Sequence, residues 1–213
     1  MAGFVLRARR AGALSSGKAR GVLARAGVVV PSSGALLDVT RLAAEGQISR
    51  PTAVNWLDIY QVTHVAHVIR PFRAGGRREI LAQPKVFGFD TGFVCHARGW
   101  DRLRPEDCGV LWEHLVLDTL LAAGPSRIHF WRDKQLREVD FIVPRGRESA
   151  DAIECRWKPD AFETRGLAAF RSLYPRGRNF VVCPLHGPSY DRTVGGLRVS
   201  FVSPAGLHAA VKD

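Results

Sequence analysis

Apolar and polar residues follow two different rhythms along this chain, and the change of rhythm divides it. Up to about residue 91 the pattern is short and mixed. "GVLARAGVVV" has the spacing of a short helix, and "PSSGAL" that of a loop. Leu37, Leu42 and Ala43 then lie at helical spacing, Gly46 stops that helix, and Ser49 is placed to cap the next, which begins at about Pro51. Two helices joined by a short turn containing glycine predict a helix-turn-helix. "HVAHVIRPF" and "REILAQPKVFGFD" follow as strands joined by a hairpin at "RAGGR". Helix, turn, helix and basic hairpin predict a winged helix over residues 21–91, behind a basic leader at 1–20.

Beyond the polar, aperiodic stretch at 92–108 the pattern changes. "CGVLWEHLVLDTLLAAG" is a strong helical period ending at Gly124. Strands are predicted at "RIHFWRD", "REVDFIVP" and "DAIECRW", a helix at "ETRGLAAFRSLY", strands at "NFVVCPL" and "LRVSFVS", and a last helix at "PAGLHAAVK". This order predicts an α/β sandwich with a mixed sheet over residues 92–213.

Composition narrows the function classes. A chain of 213 residues with 46% hydrophobic residues can build a proper core. No apolar run reaches the roughly 18 residues of a membrane span, and nothing reads as a secretory signal. The four cysteines show no C-x-x-C pair and sit in or beside apolar stretches, which predicts reduced thiols in a cytoplasmic protein. Charge is uneven: residues 1–80 carry 12 Lys or Arg against 4 Asp or Glu, residues 81–213 carry 19 against 16. Positive charge gathered in one part predicts a polyanion-binding face.

The candidate DNA contacts are of two kinds. Arg50, Thr52 and Asn55 lie on the second helix of the helix-turn-helix, the one that normally enters the major groove. That helix is apolar around most of its circumference and carries Asp58, so sequence-specific reading is expected to be weak. Arg70, Arg73, Arg77 and Arg78 flank the hairpin glycines and suit phosphate contacts, with solvated wing arginines as the plain alternative.

Three acids stand among apolar neighbours: Glu113 in "VLWEHLV", Asp140 in "EVDFIV" and Glu154 in "AIECRW". A carboxylate in such a setting costs several kcal/mol to desolvate unless something pairs with it. Magnesium, an oxygen-seeking hard cation, is one remedy; salt bridges to the many arginines are the other. Strand alternation puts Glu154, Arg156 and Lys158 on one face.

Helix with Glu, strand with Asp, then strand with Glu-x-Lys resembles the restriction-endonuclease-like PD-(D/E)XK superfamily. More closely, "GQISRPTAVNWLDIY", "QPKVFGFDTGF", "GVLWEHLVLDTL", "REVDFIV" and "IECRW" together resemble the uncharacterised C-terminal domain family of prokaryotic AAA-type ATPases, over roughly residues 21–185. In that family a winged helix follows the ATPase module and leads into a nuclease-like domain. The resemblance implies that Asp140, Glu154 and Glu113 hold magnesium or manganese and that a separate AAA-type ATPase is a partner. The motif lysine is replaced by Arg156, whose pKa above about 12 bars it from acting as a base. Lys158, one strand repeat along, is the available substitute. The expected function is a non-catalytic or weakly catalytic DNA-binding or interaction module with a degenerate metal site; the alternative is a magnesium-dependent nuclease using Glu113, Asp140, Glu154 and Lys158.

"GALSSGKA" (12–19) nearly matches a phosphate-binding loop, but Ala19 stands where the magnesium-ligating hydroxyl belongs. Family-like sequence begins almost at once, leaving no room for an ATPase core after it. ATP binding is therefore expected to be absent.

Overall fold

The structure is a computed structural model and describes residues 29–72, 83–125, 127–146 and 148–212. The leader, the "GALSSGKA" near-match, most of the helix expected at 21–30 and the hairpin tip with Arg73, Arg77 and Arg78 lie outside the described residues. The fold is α/β. Six α-helices accompany one nine-stranded mixed sheet among the described residues.

The N-terminal half begins with a two-residue strand, β1 (Ala35–Leu36), and the helix pair α1 (Val39–Glu45) and α2 (Arg50–Val62). Local chemistry sets both helix starts. Asp38 accepts from the Thr40 and Arg41 amides, and Ser49 accepts from the Thr52 amide at 3.2 Å with Pro51 in the first turn. Leu42, Ala43, Ala53, Leu57 and Tyr60 bury against Val68 and Val86 of the hairpin, β2 (Ala66–Pro71) and β3 (Lys85–Gly88).

The hairpin is not a free wing. Strand β2 pairs antiparallel with β3 on one side and parallel with β4 (His129–Arg132) on the other, through Arg70↔His129 and Pro71↔Phe130. The sheet therefore runs unbroken from one half to the other. In the polar stretch between them, Asp90 caps a short helix, α3 (Thr91–Ala97), by accepting from the Phe93 amide.

The long helix α4 (Pro105–Ala123) ends at Gly124, whose φ of 75° is the left-handed value a glycine takes without strain. It is followed by β4, β5 (Glu138–Pro144), β6 (Ala150–Cys155), α5 (Arg165–Leu173), β7 (Asn179–Val182), β8 (Tyr190–Val194), β9 (Leu197–Val202) and α6 (Pro204–Lys212). Strand order is β1-β3-β2-β4-β5-β6-β7-β9-β8. Alternation along the central strands feeds two cores. Phe141, Val143 and Ile153 pack with Trp112, Val116 and Leu120 of α4 and with Leu207 and Val211 of α6. Val139, Ile142 and Ala152 pack with Leu167 and Phe170 of α5. The result is a three-layer sandwich.

Candidate functional site: a closed carboxylate cluster

The acids meet at the end of β6 because β5 carries an irregularity. Its pairing with β4 jumps from His129↔Ile142 to Trp131↔Val139, so β5 spends one extra residue around Asp140 and Phe141. Such a bulge bends a strand and re-aims a side chain. The register Phe141↔Ile153 then brings Asp140 beside Glu154. The other face is closed by α5, which approaches so tightly that a Cβ on Gly166 would lie 2.0 Å from the Glu138 carbonyl oxygen and 3.3 Å from Glu154 Oε1. Only glycine fits there.

Arg156 spans the acids. Its Nη2 donates to Glu154 Oε2 at 2.7 Å and its Nη1 to Asp140 Oδ2 at 3.3 Å, while the Cys155 amide donates to the same Asp140 oxygen at 2.7 Å. Glu113 enters from mid-α4 and meets a partner that the sequence reading passed over. Lys85 Nζ on β3 donates to Glu113 Oε1 at 2.6 Å and to Glu138 Oε1 at 2.5 Å. Glu138 also pairs with Arg132 at 3.3 Å. A signal for these two existed. Lys85 stands in a strand of otherwise apolar character, "KVFG", and Glu138 lies one strand repeat before Asp140 within a quoted motif.

Four carboxylates (Glu113, Glu138, Asp140, Glu154) thus face three cations (Lys85, Arg132, Arg156). With every group ionised the set carries one net negative charge. Burial, and then the Asp140 charge, hold Glu154 well above the ordinary carboxylate range. Burial raises Glu113 too; Lys85 opposes this, Asp140 and Glu138 add to it, and the net is about 7. Burial works against the Lys85 ammonium, but its acid neighbours more than reverse that and keep it protonated.

In this arrangement the acids are met by the chain's own cations. Magnesium needs a near-octahedral set of oxygens at about 2.0–2.1 Å. Asp140 and Glu154 instead each turn one oxygen to the Arg156 guanidinium, and the same Asp140 oxygen accepts from the Cys155 amide. Among the described residues no group of three or more His, Cys, Asp or Glu side chains is arranged to hold a metal. Nor does Lys158 join the cluster. Strand β6 ends at Cys155, so the expected alternation stops short, and Lys158 stands exposed at the start of a 3-10 turn at Pro159–Ala161.

Four of the candidate DNA contacts lie among the described residues. Arg50 and Asn55 are exposed on α2, whereas Thr52 is half-buried with its hydroxyl 2.8 Å from that of Ser49, inside the helix cap. Arg70 pairs with Asp58 of α2 at 3.1 Å. No helix among the described residues is long and apolar enough to cross a membrane.

Two family models match the chain. Residues 108–193 match a domain of unknown function, DUF4143, and residues 26–104 match a second domain of unknown function, DUF8612. The three C-terminal motifs behind the AAA-type resemblance fall in the first region and the two N-terminal ones in the second. The first of these matches supports an AAA-associated domain of uncharacterised activity. Among solved structures the chain is similar to one described as a refined half-complex from a tetradecameric assembly of Thermococcus gammatolerans McrB AAA+ hexamers with bound McrC, at 11% identity and a TM-score of 0.35. That likeness covers 85% of this chain and 46% of the other, so the chain spans less than half of it. No curated protein matches the sequence.

Proposed function

We propose that this chain is a non-catalytic interaction module, of the kind associated with AAA-type ATPases, in which a nuclease-like carboxylate site has been closed by its own arginine. The observation that carries this reading is the Arg156 guanidinium bound to both Asp140 and Glu154. Hydrolysis of a phosphodiester needs a base to take the proton of the attacking water. Arg156 cannot lose a proton, and Lys158 is exposed beyond the strand end.

A surface suited to a protein partner lies next to this site. Between α3 and α4 runs an apolar groove of about 350 Å³, lined by Leu103, Leu111, Trp112, Leu115 and Trp157. Trp157 follows Arg156 directly, is 43% exposed and packs edge-on against Trp112. Exposed aromatic anchors of this kind are enriched where proteins dock. A separate AAA-type ATPase is the partner proposed. DNA is proposed as a second, low-specificity partner through the basic N-terminal half; the Arg70–Asp58 pair already occupies one of the cations offered to phosphate.

The deciding experiment incubates plasmid and short duplex DNA with the protein in magnesium or manganese, beside Arg156→Lys, which restores the motif lysine, and Asp140→Asn. The expected outcome is no cleavage by the natural chain. Metal-dependent cleavage that Asp140→Asn abolishes would establish the nuclease reading instead. Anisotropy with two unrelated duplexes across a salt series tests the DNA part, with equal, steeply salt-dependent binding expected.

A further inference from the structure

We infer that Lys85 is a resident cation that does, between α4 and β5, the charge-neutralising work of a metal ion, and that it thereby locks the helix-turn-helix half to the C-terminal half. The inference is independent of whether the chain cleaves DNA. Its first support is burial: the Lys85 side chain is 5% exposed, on a strand buried along its whole length. A lone ammonium there is costly, and a single carboxylate partner often fails to offset the desolvation. Lys85 has two, Glu113 and Glu138, at 2.6 and 2.5 Å, with Asp140 adding attraction.

The second support is topology. Strand β3 is separated from β5 by β2 and β4 in the sheet. The Lys85 and Glu138 side chains bridge that distance together, meeting beside Phe130 of β4, whose ring centroid lies 5.9 Å from Nζ. Glu113 belongs to α4 and Glu138 to β5, so one ammonium joins three elements drawn from both halves. The sheet's own seam is short. Strands β2 and β4 pair through two residue pairs, extended by the Phe72 amide donating to the Phe130 carbonyl at 2.7 Å. Apolar contacts cross the seam as well, Ile69 and Phe87 packing in the core under α4 and Phe72 in that under α5, and the buried three-way ion contact is the charged tie beside them.

Full-length Lys85→Met, which keeps the aliphatic stem and removes the charge, tests this. Its melting temperature is expected to fall by about 10 °C, the scale of breaking a buried ion set in a chain of this size. Hydrogen exchange is expected to show the protection of α2 amides falling further below that of β5 and β6 than it does in the natural chain. Lys85→Met/Glu113→Gln is expected to recover part of the loss, and magnesium or manganese to leave the natural chain's melting temperature unmoved. A Lys85→Met protein within about 2 °C of the natural one, or with α2 protection unchanged, would overturn the inference. So would a rise in the natural chain's melting temperature on adding either metal. If Lys85→Met does not fold, the Lys85→Met/Glu113→Gln/Glu138→Gln variant decides: a folded, neutral cluster supports the charge argument, and an unfolded one overturns it.

Discussion

Strand β6 carries two acids, Asp151 at its start and Glu154 near its end, each 1% exposed, and their surroundings treat them in opposite ways. Asp151 is fully provided for. Its oxygens accept from the Arg178 amide at 3.0 Å, from Arg178 Nη2 at 2.7 Å and from Arg145 Nε at 2.8 Å. Burial pushes its pKa up, but those hydrogen bonds more than reverse the effect and hold it below the ordinary range. Glu154 shares Arg156 with Asp140, and its pKa is raised. One end of the strand has cations to match its acid and is structural. The other has more acid than cation.

Close by the Asp151 end, the same economy appears with the sign reversed. Arg171 of α5 is buried and donates five hydrogen bonds, to Asn179 Oδ1 and to the carbonyls of Tyr174, Arg176, Ala150 and Arg178. Burial lowers its pKa to about 10, still far above neutral. It remains a cation in a cage of acceptors. The largest effect should therefore come from Arg171→Met, which strands these carbonyls. A loss of at least about 4 kcal/mol, or a fall of roughly 10 °C or more in melting temperature, is expected in calorimetry. A mild variant would show that the cage contributes little to this end of the sheet.

Next in size is Asp151→Asn, expected to cost about 2–3 kcal/mol in urea titration at pH 7, since Arg178 is half exposed and can turn to water. The sign with pH is also set. A carboxylate with a lowered folded pKa contributes stability above its unfolded value, and that contribution is lost as pH falls through the folded one. The natural chain should lose stability below about pH 4 more steeply than Asp151→Asn.

Glu113 should behave in the opposite sense. Its folded pKa, about 7, lies above the unfolded value of 4.5, so the folded chain holds a proton that the unfolded chain has released. Stability should fall as pH rises between these values, by about 3 kcal/mol at most. Glu113→Gln, which can still accept from Lys85, should flatten that slope and be the more stable protein at pH 8. An unchanged slope would mean that the missing proton sits elsewhere in the cluster.

The smallest effect is expected for Glu154→Gln: within about 1 kcal/mol of the natural chain at pH 7, and neutral or stabilising at pH 8, because it relieves an acid excess. A loss as large as that of Asp151→Asn would erase the distinction between the two ends of β6.

Much of the architecture is legible in the amino-acid order because its signals are local. Ser49 and the Thr52 amide are neighbours in sequence, as are Gly124 and the last turn of α4, so the helix boundaries could be read directly. The central strands announce themselves by alternation. Short or exposed elements did not: β1 has two residues, β8 is almost wholly exposed, and α3 hides in a polar stretch whose cap, Asp90, looks like any loop acid. The site was half legible. Glu113, Asp140, Glu154 and Arg156 were named and do converge, whereas Lys85 and Glu138 were missed and Lys158 falls outside.

What the sequence determined by itself is the α/β class, the α1–α2 helix pair, and the presence of acids where acids are costly, since propensity, capping and burial pattern depend on near neighbours. What it could not determine is which of those acids would find enough positive charge. Asp151 and Glu154 read alike in "SADAIEC", both embedded in apolar strand. Their difference comes from Arg178 at the head of β7, from Arg156 being shared, and from Lys85 arriving across two intervening strands. Charge balance in a buried cluster is a sum over partners that chain folding alone brings within hydrogen-bond reach, and that sum exists only in the tertiary structure.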